Sequence, residues 1–442
     1  MNSRFSIDTR TLRRGDTFVA IRGEKFDGHD FLEAAVKQGA TRLIVDRADA
    51  TRSVPTSSVE VARVEDCLTY LAWEAQKRLD DLQTQVIAIT GSVGKTTTKR
   101  AVVATLDRVF DVVTPTGNLN TLLGASLTVL NEITRPNQKF IAEVGAYQRG
   151  DIVNFCKWIK PSIAVVTNVQ PVHLERMGSL DNIALAKGEL VDALTEQGVA
   201  CLNQDDLRVA EMRLRCKGRV ISYGSDSAAD INPSHIKVDV PLLGGYRIST
   251  AMAAYAVGVA LGLDDETINA GLSGIRPEKG RLNLLPGRND AVIIDDTYNA
   301  SLSSSLEALD VLRQRKGSRK IAIMGDMLEL GATEEEAHSR VVNAALEGAD
   351  VAIFVGARMR SAVLRRHLAE EDSRACFSNQ ADALASLSRI FTPASGDVIL
   401  VKGSAGMRME NIVEALLASD LKPAEVLVRQ EKSWKTKEPE SV

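Results

Sequence analysis

The chain has 442 residues, 44% of them hydrophobic and 25% charged, with a formal net charge of −4 at pH 7. That length exceeds one typical core, so about three domains are expected. The mild acidity argues against a nucleic-acid binder, no apolar run is long enough to span a bilayer, and Met1 to Phe5 lacks a signal-peptide core. The five cysteines, Cys67, Cys156, Cys201, Cys216 and Cys376, show no Cys-x-x-Cys spacing and read as reduced cytosolic thiols rather than a disulfide framework or a zinc site.

Residues 1–82 read as a first small α/β unit. Thr17 to Ile21 and Arg42 to Val45 suit strands, Phe31 to Gly39 and Val64 to Leu79 suit helices, and Asp80-Asp81 forms a polar joint. In residues 83–279, strands at 86–89, 139–144, 163–167 and 200–202 alternate with helices, which predicts a mostly parallel sheet covered on both faces. Residues 280–428 repeat that alternation, with strands at 292–294, 321–324, 352–355 and 398–401 and helices at 303–314 and 334–347. Ligand sites are then expected at the carboxyl ends of the strands. Residues 429–442 are charged and read as a frayed tail.

The most telling stretch runs from Gln85 to Thr98. A short β-branched strand leads into Gly91-Ser92-Val93-Gly94-Lys95-Thr96-Thr97, and a helix-forming segment follows. Glycines let the backbone approach an anion, and the N–H groups of a helix start point at it. Lys95 is placed to reach outer phosphates and the Thr96 hydroxyl to hold Mg2+. The loop has two residues between its glycines, fewer than the common phosphate-binding loop.

Other strand ends are ambiguous on spacing alone. Glu143 reads either as a carboxylate holding Mg2+ beside the phosphates or as a surface residue. His173 reads as a structural histidine or a ligand, and Lys187 as an ordinary solvated lysine. In the third unit, Asp295-Asp296-Thr297-Tyr298-Asn299 reads equally as a ribose- or ammonium-binding turn and as a helix cap. Gly325-Asp326-Met327 and Lys402-Gly403-Ser404 follow two further strands, and three charged strand ends together suggest a working face.

These motifs, in this order over nearly the whole chain, resemble the Mur ligase family. Ser6-Ile7-Asp8-Thr9-Arg10 and Phe26-Asp27-Gly28-His29 are similar to its uridine-nucleotide-binding domain. Gly91 to Thr98, Gly117-Asn118-Leu119-Asn120 and Ala186-Lys187-Gly188-Glu189 match its central P-loop ATPase-like domain. Gly280-Arg281-Leu282, Asp296-x-Tyr298-Asn299 and Gly325-Asp326-Met327-Leu328-Glu329-Leu330-Gly331 match its C-terminal Rossmann-like domain, and the last run points to the dipeptide-adding branch.

The resemblance implies an ATP-dependent amide ligase of peptidoglycan precursor synthesis. It would join D-alanyl-D-alanine to a UDP-N-acetylmuramoyl-tripeptide through an acyl phosphate, as a cytoplasmic monomer with no nucleic-acid partner and no membrane insertion. It implies ATP contacts at Gly91, Ser92, Gly94, Lys95, Thr96, Thr97, Asn118, Arg281 and Asp296. Two Mg2+ ions would be held by Thr96, Glu143, His173 and Lys187, the lysine carbamylated. Asp8, Thr9, Arg10, Asp27, His29, Tyr298, Asn299 and Asp326 would bind substrate. The chain departs from the family pattern at Val93, Tyr246, Arg247, Thr250 and Ala405, and it opens almost at the Ser6-Ile7-Asp8 motif. A divergent ligase joining another acid and amine, or a non-catalytic nucleotide-binding relative, therefore stays open as an alternative.

Overall fold

The computed structural model describes residues 4–23, 26–47, 49, 59–116, 120–171, 174–328, 330–365, 376–431 and 434. Among the described residues three sheets carry the fold. The first is all parallel, in the order β1 (Phe5–Ser6), β2 (Thr17–Val19), β3 (Arg42–Val45), β4 (Glu60–Arg63). Phe18, Leu43 and Val45 pack on Leu32 and Ala35 of the short helix Leu32–Lys37. Chain reversal after that helix uses Gly39 at φ +98°, a conformation glycine adopts without strain.

The second sheet contains β5 (Gln85–Thr90), β6 (Val112–Val113), β7 (Lys139–Glu143), β8 (Ile163–Val166), β9 (Val199–Asn203) and β10 (Arg219–Tyr223). Its spatial order is β10-β9-β8-β5-β7-β6, and every pairing is parallel. The runs of β5, β7 and β8 are apolar on both faces because helices cover both sides, as parallel sheets require. With β5 between β7 and β8, the carboxyl ends of three neighbouring strands open onto one place.

The third sheet contains β11 (Asn283–Pro286), β12 (Val292–Asp296), β13 (Arg319–Gly325), β14 (Val351–Val355), β15 (Cys376–Phe377) and β16 (Asp397–Lys402), in the order β11-β12-β16-β13-β14-β15. Among these described strands only β11 runs antiparallel, at the edge, where its Pro286 is tolerated. One face packs Ile293, Ile323, Ile399 and Val401 against Ile412 and Val413. The other packs Ile294, Met324, Phe354 and Leu400 against Leu312 and Val341. The doubly wound reading of both larger sheets therefore holds.

By contact density the chain forms two compact units. One is Met1–Gln170, Leu180–Val238 and Thr250–Leu272; the other is Pro171–Ser179, Asp239–Ser249 and Ser273–Val442. The first two sheets share a unit, joined by Phe5 N donating to Asn131 Oδ1 at 2.8 Å and Asn131 Nδ2 donating to Phe5 O at 3.0 Å. The expected fraying from residue 429 is corrected at its first residue: the Arg429 side chain is buried and hydrogen-bonded to Glu410. All five cysteines are free. Among the described residues no helix is long and apolar enough to cross a membrane.

Candidate active site

The glycine loop sits at the carboxyl end of β5. Gly91 turns at φ +146°, and a Cβ there would lie 2.0 Å from Thr167 Oγ1, so a side chain is excluded. Gly94, at φ +81°, is the N-cap of the helix Lys95–Leu106, whose first turn carries Thr96 and Thr97. Between the glycines the loop is fastened to the end of β8. Val93 N donates to Asn168 Oδ1 at 2.9 Å, and Val93 O accepts from Thr167 Oγ1 at 2.8 Å and Asn168 Nδ2 at 3.0 Å. Ser92 N donates to Asn168 O at 3.0 Å, and the Ser92 hydroxyl to Gln170 O at 3.0 Å. At position 93 these bonds use the backbone, whichever side chain the position carries.

Lys95 Nζ lies over the loop, donating to Gly91 O at 2.9 Å and Ser92 O at 3.1 Å. The Thr96 hydroxyl donates to Glu143 Oε2 at 2.8 Å, so the end of β7 meets the loop. Glu143 is thus a partner of the loop rather than an isolated surface residue. A hydroxyl and a carboxylate side by side are hard oxygen donors of the kind Mg2+ takes, and this set fits the ion.

Lys187 overturns its solvated reading: it is 3% exposed, in the helix Leu180–Asp192. Burial, and next the nearby Lys95 charge, push its ammonium down to about 7, against the opposing pull of Asp151, Glu189 and Glu143. A lysine that is partly neutral at physiological pH is a competent nucleophile toward CO2. Its neighbours hold this helix in place. Glu189 accepts from Gly150 N at 2.8 Å and Val153 N at 3.3 Å, capping the helix Asp151–Trp158. A Cβ at Gly188 would lie 2.1 Å from Arg215 Nη1, so glycine there makes room for the Arg215–Asp192 ion pair.

In the other unit, β12 and β16 end side by side. Lys402 Nζ donates to Asp296 Oδ2 at 2.6 Å and to Asn299 O at 2.9 Å. Asp295 accepts from Gly280 N and from the Thr297 hydroxyl; burial, helped by the Asp296 charge, lifts its carboxyl to about 6. The Arg281 guanidinium lies 3.9 Å above the Tyr298 ring, and Asn299 Oδ1 accepts from Ala405 N. Asp326 directly follows β13. It is 2% exposed, and its two oxygens accept from Met359 N at 2.8 Å and Arg358 N at 3.1 Å at the start of the helix Ala357–Arg365. Each oxygen takes one backbone N–H, so Asp326 positions the start of that helix.

In the first sheet's region, Arg10 forms a fork on Asp8, with Nε 2.9 Å from Oδ1 and Nη2 2.6 Å from Oδ2, and Thr9 lies in the turn between them. His29 is buried between carboxylates, with Nδ1 2.6 Å from Asp27 Oδ1 and Nε2 3.3 Å from Asp46 Oδ1. Burial opposes ionisation of Asp27, but hydrogen bonds from the His29 backbone and ring and from Arg47 bring its carboxyl down to about 2. His29 therefore braces the Asp27 turn. Asn118 and His173 lie outside the described residues.

Spacing along the chain does not assign Asn168 or Glu189 to a site, and it places Lys402 on a working face without naming its partner. Each follows or adjoins a recognisable motif, and each acts in part through backbone contacts that side-chain spacing does not signal.

Comparison with known proteins places these features in one family. Residues 3–77 match "Mur ligase family, catalytic domain", residues 89–258 "Mur ligase middle domain", and residues 280–405 "Mur ligase, glutamate ligase domain". The UDP-N-acetylmuramoyl-tripeptide–D-alanyl-D-alanine ligase of Bacillus subtilis is 32% identical over 433 residues, covering 94% of this chain and 93% of its own. A crystal structure of MurF from Acinetobacter baumannii superposes with a TM-score of 0.82 at 32% identity, over 93% of this chain and 92% of its own. MurF from Thermotoga maritima, solved in complex with ADP, superposes at 0.78 with 26% identity, over 94% and 97%. With its glycine loop, its Thr96–Glu143 pair and its buried Lys187 in one unit and matches along almost its whole length, the chain belongs to the Mur ligase family.

Proposed function

We propose that this chain is an ATP-dependent ligase that joins D-alanyl-D-alanine to a UDP-N-acetylmuramoyl-tripeptide in the cytoplasm, releasing ADP and phosphate. The observation that carries the reading is the meeting of Lys95, Thr96 and Glu143 at the carboxyl ends of β5 and β7. The full-length similarity to enzymes named for that reaction, one of them bound to ADP, supports it.

The chemistry follows from these groups. A carboxylate is a poor acyl donor at neutral pH, so it must first be activated. The tripeptide's terminal carboxylate attacks the γ-phosphorus of ATP, forming an acyl phosphate and ADP. The dipeptide amine then attacks the acyl carbon, losing a proton and expelling phosphate. Lys95 and the N–H groups at the start of the helix Lys95–Leu106 hold the phosphates in line and stabilise the charge that builds on them. Thr96 and Glu143 are the residues to hold Mg2+, with His173 and a carbamylated Lys187 as further ligands. Bound Mg2+ supplies neutralisation of phosphate charge. Arg281, Asp296, Tyr298 and Asn299 are assigned to the nucleotide and the amine substrate, and Asp8 to Arg10 with the Asp27 turn to the uridine end.

The test is phosphate release by purified protein supplied with ATP, Mg2+ and both substrates. Release that requires all four supports the reading, and none with any UDP-muramoyl peptide overturns it. A second reading keeps the chemistry and changes the acid and amine pair. Tyr246, Arg247, Thr250 and Ala405 favour it, and activity on other pairs alone would establish it.

A further inference from the structure

The stretch that leads into the C-terminal tail runs along the back of the Asp295–Asn299 turn. Lys279 Nζ donates to Ala424 O at 3.0 Å. A Cβ on Gly280 would lie 3.0 Å from both Tyr298 N and Val428 Cγ1, so glycine lets the three segments close on one another. Arg429 then grips the turn itself, with Nη1 donating to Tyr298 O at 3.0 Å and Nη2 to Thr297 O.

The grip is braced from behind. Glu410 is fully buried, and it takes Arg429 Nε at 3.0 Å and Nη2 at 2.9 Å as a fork, together with Arg408 Nε at 2.7 Å. The Trp434 ring lies 5.7 Å from the Arg408 guanidinium and 5.9 Å from that of Arg429, and its carbonyl accepts from Arg408. Both arginines sit at left-handed φ, +54° and +52°, which non-glycine residues adopt only when surrounding contacts hold them there. One shared carboxylate orients two strained arginines, and one of them holds two consecutive carbonyls of the turn.

We propose that Arg429, locked by Glu410, is a positioning residue for the amine substrate. By fixing Thr297 O and Tyr298 O it holds the Tyr298 ring beneath Arg281 and keeps Asn299 at the mouth of the turn. This rests on the assignment of Tyr298 and Asn299 to the dipeptide made above. Arg408 shares Glu410 with Arg429 and donates to the Trp434 carbonyl, so it braces the same carboxylate, while the bonds to the turn carbonyls come from Arg429.

The test uses the full chain with Arg429→Ala and with Arg429→Lys, which keeps the charge but lacks the fork that spans Glu410 and both carbonyls. Amide hydrogen exchange in 295–300 and the KM of each substrate are measured. The expected result is faster exchange in that segment and a rise of about tenfold in KM for D-alanyl-D-alanine, with KM for the UDP-tripeptide within about twofold of wild type. Unchanged exchange, or two KM values that move together or not at all, overturns the proposal. If Arg429→Ala does not fold, Arg429→Lys decides by the same criteria. If the wild-type chain ligates no such dipeptide, the functional assignment falls while the exchange measurement still reports on the grip.

Discussion

Asp296 and Lys402 face each other in register at the carboxyl ends of two adjacent parallel strands, with Lys402 Nζ 2.6 Å from Asp296 Oδ2 and the lysine 1% exposed. Removing one member of such a pair leaves a desolvated charge without a partner. Lys402→Met is expected to lower stability by about 3 kcal/mol, and Lys402→Met with Asp296→Asn to recover most of it. Urea denaturation of the two variants checks this; a double variant no more stable than the single would refute it.

Lys95 is half-buried and donates to two backbone carbonyls of its own loop. Lys95→Ala is expected to reduce phosphate release by about a thousandfold while changing stability by less than about 1 kcal/mol. Turnover and thermal melting, measured on the same preparation, separate the two effects.

Lys187 is buried with its ammonium pushed down to about 7. A lysine whose folded value lies below its unfolded one loses stability as pH falls from about 10.4 toward 7, because only the unfolded chain takes up the proton readily. Lys187→Met removes that penalty. It is expected to melt higher than wild type at pH 7, with the gap closing toward pH 10, and to lose at least about a hundredfold in turnover. A variant that melts lower at pH 7 would count against a desolvated cation there.

Glu307 accepts from Tyr246 N, and burial, with the Asp296 charge adding to it, lifts its carboxyl from 4.5 to about 7. A raised carboxyl contributes stability that is fully present below pH 4.5 and is lost as pH rises through 7. The loss amounts to about 3.5 kcal/mol, at about 1.4 kcal/mol per pH unit over about 2.5 units. Glu307→Gln does not titrate, so the wild-type minus variant stability is expected to fall between pH 4.5 and 7 and to flatten above it. A difference that stays constant with pH would exclude the assignment.

Much of the fold is legible because buried parallel strands are unbroken apolar runs: Arg42 to Val45 matches its strand to the residue, and the expected helix at 303–314 is Leu302–Gln314. The strands that sequence does not signal lie at sheet edges or are very short. β4 is Glu-Val-Ala-Arg with no buried residue, and β11 ends in proline. Within the site, Lys95, Thr96 and Glu143 are legible because glycine spacing and strand ends mark them. Lys187 is not, because nothing local distinguishes a buried lysine from an exposed one; only its helix packing does. Asp326 and His29 show a second kind of hidden role: each is hydrogen-bonded to a neighbouring helix or turn, and their motifs do not signal that contact.

The grip of Thr167 and Asn168 on the glycine loop passes through peptide groups at position 93. Exchange of valine for another side chain there leaves the path of the loop unaltered, so drift at this site is silent for the architecture.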